Sequence, residues 1–190
     1  NDAPIISGLG DISFLEDYTL SLNLHDYVTD VDDDSSELVW SINSLNPQLS
    51  YAFNPQEFVV TFTPDTNYFG ENNPVSFYVE DTSGAADSVS IMITVNAVND
   101  PPHFVGDLPN VTFPEDSGAI LITTTWAELI TDVDDSISSL SWTFLNGYYI
   151  SVSQSSDTLF FYSEPDWYGT EDVLAVISDG EKKDTTNFGI

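Results

Sequence analysis

Cysteine and arginine are both missing from the 190 residues, and lysine occurs only at positions 182 and 183. Without cysteine there can be no disulfides, no thiolate metal site and no cysteine nucleophile, while the compartment stays open because many extracellular modules manage without disulfides. No apolar run approaches the roughly 18 residues of a membrane-spanning helix, so membrane insertion is not expected. The chain starts at "NDAP" without a charged n-region or apolar h-region, so no signal peptide is expected within it. It stops at "DTTNFGI" in a strand-like pattern, and it reads as a segment of something longer with a truncated C-terminal end. The scarcity of cations also sets the charge: 22 Asp and 10 Glu against two Lys leave a formal net charge of −30. Nucleic acid and anionic membrane surfaces should repel such a chain, whereas cations should be attracted to it.

What is present argues for a fold. Hydrophobic residues make up 41% of the chain, too many for a disordered polyanion. A saline habitat would account for acids scattered over a surface. It does not account for acids clustered at corresponding places in two halves of the sequence.

Those halves are an internal duplication. "NDAP" (1–4) recurs as "NDPP" (99–102), "FLED" (14–17) as "FPED" (113–116), and "TDVDDDSSELVW" (29–40) as "TDVDDSISSLSW" (131–142). "TPDTNYFG" (63–70) answers "SEPDWYG" (163–169), and "VEDTSG" (79–84) answers "ISDG" (177–180). The order is kept and the offsets drift only between 98 and 102. That period is too long for a solenoid, so each copy should be a complete domain, 1–98 and 99–190. Between them "VNAVNDPPHF" forms a short polar linker that Pro101 and Pro102 hold extended.

Within each copy the pattern is strand. Val89, Ile91, Ile93 and Val95 alternate with other residues, as do Leu20, Leu22 and Leu24, and Leu140, Trp142 and Phe144. Only "TTWAELITD" (124–132) suggests a short helical turn. About seven short strands in some 95 residues, punctuated by Gly, Pro, Asn and Asp, predict two all-β, immunoglobulin-like antiparallel β-sandwiches in tandem. Trp40 and Trp142 lie in alternating apolar strands and read as core residues.

The acid clusters carry the chemistry. In an extended segment residues i and i+2 project to one side, so Asp30 with Asp32, or Asp132 with Asp134, should converge on a cation. Carboxylates without His or Cys suit Ca2+, which takes six to eight oxygens in flexible geometry. An EF-hand does not fit, because its glycine and final glutamate positions fall on Ser35 and Ser41, and on Ile137 and Thr143 in the second copy.

These motifs resemble the cadherin-like repeats, especially the tandem "NDxP" versions of bacterial surface and secreted proteins. The resemblance covers essentially the whole chain, twice. It implies extracellular or cell-surface β-sandwich repeats with calcium between successive domains. Glu16 of "LED" matches the family's first-strand glutamate, and Asp65 and Asn67 of "PDTN" its mid-domain acidic triplet. Asn99 and Asp100 match the linker pair, Asp132 and Asp134 the next domain's Asp-x-Asp, and Asp179 of "ISDG" its lone aspartate. By the same logic Asn1, Asp2, Asp30, Asp32 and Asp81 face a preceding domain, while Glu115 and Asp166 face a following one. Asn67 is neutral where the family usually has glutamate, and Ala97 replaces a commonly acidic linker position, so fewer or weaker ions are expected.

The resemblance thus implies a non-enzymatic adhesion or structural segment whose partners are the neighbouring repeats of its own chain. His25 and His103 have no recognisable nucleophile partner, and the first copy has no lysine for a repeated isopeptide crosslink. Other surface proteins and glycans remain open as partners. A carbohydrate-binding module is the alternative, since "NGYYI" (146–150) and "LFFYSE" (159–164) cluster aromatic rings that can stack on sugars.

Overall fold

The computed structural model describes residues 1–156 and 158–190, and within that range all side chains but those of residues 120–125. The chain divides into two compact units, Asn1–Val98 and Asn99–Ile190.

Unit 1 is built from nine strands. β1 (Ile5–Ile6) pairs with β4 (Val28–Thr29), and a four-stranded sheet runs β2 (Ile12–Leu15), β9 (Ala86–Asn96), β8 (Gly70–Glu80), β5 (Val39–Ser44). A three-stranded sheet runs β3 (Leu20–Asn23), β7 (Val59–Pro64), β6 (Leu49–Asn54). The alternation seen in the sequence selects the inner faces: Val75, Phe77 and Val79 of β8 and Ile91, Ile93 and Val95 of β9 are buried. They meet Val60 and Phe62 of β7 and Leu22 of β3 in one core. Phe62 and Phe77 cross the core edge to face, with ring centroids 6.4 Å apart.

Unit 2 repeats the plan. β10 (His103–Phe104) pairs with β12 (Ile130–Thr131), β15 (Thr158–Ser163) lies between β11 (Gly118–Ile122) and β14 (Ile150–Ser155), and β16 (Asp172–Ser178) lies between β13 (Ser141–Leu145) and β17 (Lys183–Gly189). Leu159, Phe161, Val173 and Ala175 are fully buried, and Trp126, Phe144 and Phe188 complete an aromatic core. Trp40 is buried and Trp142 half-buried, both packed in core clusters.

Two local features differ from the sequence reading. Leu24 does not continue β3, because Leu24–Tyr27 is a 3-10 turn whose Asn23 side chain accepts a hydrogen bond from His25 N at 3.2 Å. The second copy has its counterpart at Thr123–Leu129. In addition, β2 pairs with β9 in parallel, in register Ile12↔Ile93 to Leu15↔Asn96. Unit 2 begins the same approach with the bonds Val111 N to Gly189 O and Gly189 N to Asn110 Oδ1, the latter repeating Met92 N to Asp11 Oδ1, so Ile190 is the counterpart of Ile93, where the register of β2 with β9 starts.

Phe62 is fully buried between the sheets. Phe62→Ala should destabilise unit 1 by about 3–5 kcal/mol in urea unfolding, whereas Leu45→Ala, on an exposed loop, should stay within about 0.5 kcal/mol.

Candidate metal centres at the acid-rich loops

The segment after β4 is not extended. Asp30 Oδ1 accepts hydrogen bonds from Asp32 N (2.8 Å) and Asp33 N (2.9 Å), and Asp34 Oδ1 accepts from Ser36 N (3.0 Å). These Asx turns wind the chain, so the residue sharing a side with Asp30 is Asp33, three positions on. Oxygens of Asp30, Asp33 and Asp81 lie within 4.8 Å of one another. Asp32 is turned away, and its Oδ2 accepts from Asp2 N at 2.7 Å. His25 secures the loop through Ser35, Nδ1 to Oγ at 2.7 Å, with its ring on Phe58.

The second copy repeats the bonds that Asp30 and Asp32 make. Asp132 Oδ1 accepts from Asp134 N and Asp135 N, both at 2.9 Å, and Asp134 Oδ2 accepts from Asp100 N at 2.7 Å. The converging trio is Asp132, Asp135 and Asp179. In the structure Asp30 therefore converges with Asp33 and Asp132 with Asp135, where an extended chain would have brought Asp32 and Asp134 alongside them. Asp2, Asp32, Asp100 and Asp134 join loop to linker instead.

The lone aspartates sit in turns after the long central strands. Asp81 Oδ1 accepts from Ser83 N (2.8 Å) and Ala85 N (2.9 Å), and its Oδ2 accepts from Asn1 Nδ2 at 2.8 Å. The Asn1 amide, with these turn donors, holds the Asp81 carboxyl down to about 2 against the desolvation that opposes it. Asp179 likewise accepts from Asn99 Nδ2 (2.9 Å) and from Glu181 N and Lys182 N (both 2.6 Å), and its carboxyl is lowered, chiefly by Asn99.

With those donors counted, some oxygens remain over. Asp30 Oδ2, Asp33 Oδ2 and Asp132 Oδ2 are buried and have no hydrogen-bond partner. Such oxygens are costly beside other carboxylates unless something positive joins them. Hard anionic oxygens with no nitrogen or sulfur donor fit a calcium ion. Asp33 and Asp135 are the residues that sequence reasoning missed. Their signal was available in the run of Asp and Ser, which favours turns over extended chain.

A further orphan lies at the other end of unit 1. Glu16 is 5% exposed. Its Oε1 accepts from Val98 N at 2.8 Å while its Oε2 has no partner. Asp65 lines the same shallow groove, along with Thr63 and Thr66. Asn67 is exposed at φ +58°, in a turn closed by Tyr68 N on Asp65 O. Asparagine tolerates that left-handed conformation. The equivalent turn in unit 2 closes from Trp167 N to Glu164 O with Asp166 at φ +57°. Glu164 is thus the counterpart of Asp65, and Asp166 that of Asn67.

Comparison with known proteins accords with this architecture. Residues 1–94 match the family model described as Bacterial Ig domain. The fold is immunoglobulin-like and cadherin-like. Among solved structures, mouse cadherin-23 EC22-24 is 19% identical at a TM-score of 0.53, over 98% of this chain and 63% of that one. The protocadherin gamma B2 extracellular cadherin domains 1-5 are 16% identical at 0.52, over 100% of this chain and 38% of that one. The protocadherin gammaB4 extracellular domain is 13% identical at 0.53, over 99% of this chain and 32% of that one. The chain thus spans 32–63% of the length of these structures. Comparison with curated proteins returns no match.

The two centres differ beside the lone aspartate. In unit 2 the Lys182 ammonium donates to the Asn99 carbonyl, beside Asp179. The matching turn of unit 1, "DTSGA", contains no lysine. An internal cation should compete with an external one. Lys182→Met should therefore tighten calcium uptake at this centre by about fivefold, or ~1 kcal/mol, in calorimetry of the whole chain. An unchanged isotherm would refute competition.

The depressed Asp81 carboxyl also has a pH signature. A group whose folded value lies below its unfolded 3.8 contributes stability above that pH and loses it as pH falls through about 2. Thermal melts should lose stability across this window, and Asp81→Asn should flatten that limb.

Proposed function

We propose that this chain is a calcium-binding structural and adhesion segment of a larger extracellular or cell-surface protein, and not an enzyme. Calcium taken up by its acid-rich loops and by Glu16 stiffens the connection between its repeats. The partners in this reading are the neighbouring repeats of the same chain. The observation that carries it is the set of buried carboxylate oxygens without hydrogen-bond partners: Glu16 Oε2, Asp30 Oδ2, Asp33 Oδ2 and Asp132 Oδ2. The immunoglobulin-like and cadherin-like fold supports the same class of module. Among the described residues no helix is long and apolar enough to cross a membrane.

The physical basis is electrostatic. Carboxylates drawn from several loops repel one another until a divalent ion joins them, so the ion favours the arrangement that brings its ligands together. Extracellular modules of this kind bind calcium at roughly 10⁻⁴–10⁻³ M. The residues assigned to calcium are Glu16 and Asp65 in unit 1, Asn99, Asp132, Asp135 and Asp179 in unit 2, and Asn1, Asp30, Asp33 and Asp81 toward a preceding repeat. Asp2, Asp32, Asp100 and Asp134 support them through the backbone.

Small-angle scattering tests the reading. Adding chelator to the calcium-loaded chain should broaden the distribution of maximum dimensions, while circular dichroism retains the β signal of both sandwiches. Scattering curves that superimpose with and without calcium would sink the proposal.

A further inference from the structure

The duplication exposes a feature that belongs to one copy alone. The loop between β13 and β14 carries Tyr148 and Tyr149 where the corresponding loop of unit 1 carries Pro47 and Gln48. The correspondence is structural: Asp65 N bonds to Gln48 O in unit 1 as Glu164 N bonds to Tyr149 O in unit 2. The fold therefore does not require aromatic rings at these positions. Tyr148 is 83% exposed and Tyr149 43% exposed.

The rings are ordered by their surroundings. Trp167 packs on the core of unit 2, and Tyr149 stacks on it with centroids 5.3 Å apart and planes 15° from parallel. Tyr148 stands edge to face against Tyr149 at 4.7 Å. The backbone beneath them is held by one buttress. The Glu171 carboxylate accepts hydrogen bonds from Tyr148 N (2.5 Å), Tyr149 N (2.8 Å) and Ile150 N (2.8 Å). Gly147 permits that approach, since a Cβ there would come within 2.3 Å of Glu171 Oε2. Glu164 and Asp166 carboxylates, with Pro165, line the open groove beside the three rings.

We propose that this groove is a binding site for a neutral pyranose oligosaccharide. A sugar ring presents a face of slightly positive C–H groups, which suits the negative face of an aromatic ring. Its hydroxyls are donors, and the groove flanks the rings with carboxylates that only accept. The net charge of −30 excludes sulfated or uronic polymers. Three aromatic and two acidic residues around an open groove are too few for a stable protein interface, which needs about 800 Å² per partner, but they are enough for one or two sugar rings. Preorganisation by Glu171 and Gly147 means that little side-chain and loop order has to be acquired on binding.

The test is calorimetry of the whole chain with cellohexaose, laminarihexaose, mannohexaose and xylohexaose, and with chondroitin sulfate as the anionic comparison. At least one neutral hexasaccharide should bind more tightly than about 1 mM. Tyr148→Ala, at an exposed position that leaves the fold intact, should weaken it about tenfold, while Tyr148→Phe, which keeps the ring, should retain most of the affinity. Binding by none of the neutral probes, stronger binding of chondroitin sulfate, or equal loss in both variants would overturn the proposal. So would self-association that Tyr148→Ala abolishes in a chain that binds no saccharide, because the rings would then be a protein contact.

Discussion

A carboxylate has two oxygens, and in both acid-rich loops they are treated differently. One accepts backbone N–H groups and so bends its own chain into an Asx turn, as Asp30 Oδ1 does for residues 32 and 33 and Asp132 Oδ1 for residues 134 and 135. The other is left buried without a donor. Local folding of the loop and its demand for a positive ion are thus two ends of one side chain. Neutralising such an aspartate would loosen the loop as well as remove a ligand. The lone aspartates Asp81 and Asp179 take the opposite course, with both oxygens hydrogen-bonded and their carboxyls held ionised by asparagine amides.

Much of this was legible in the sequence because duplication supplies an internal control. The strands of each sandwich follow from alternation at Val75 to Val79 and Ile91 to Val95, where burial of one face leaves little freedom of register. Asp30, Asp81, Asp132 and Asp179 stood out because each recurs in the second copy. What failed were inferences that needed the local backbone. Treating residues 30–34 as extended selected Asp32 over Asp33. Reading Leu24 as a third alternating residue overlooked Asn23, a side chain able to cap a turn.

Alignment by residue type misled in one more place. Matching Pro64 to Pro165 sets Asp65 against Asp166, whereas the strand register sets Pro64 against Leu49 and Ser163 against Ile150, and so Asp65 against Glu164. Backbone hydrogen bonds preserve the equivalence that substitution has blurred. The same register isolates Tyr148 and Tyr149 as aromatic replacements of Pro47 and Gln48.

The parallel pairing of β2 with β9 reaches beyond stability. These strands lie near opposite ends of unit 1, so tension along the chain would drag them past each other and load their hydrogen bonds together. Such a pair yields only when several bonds fail at once.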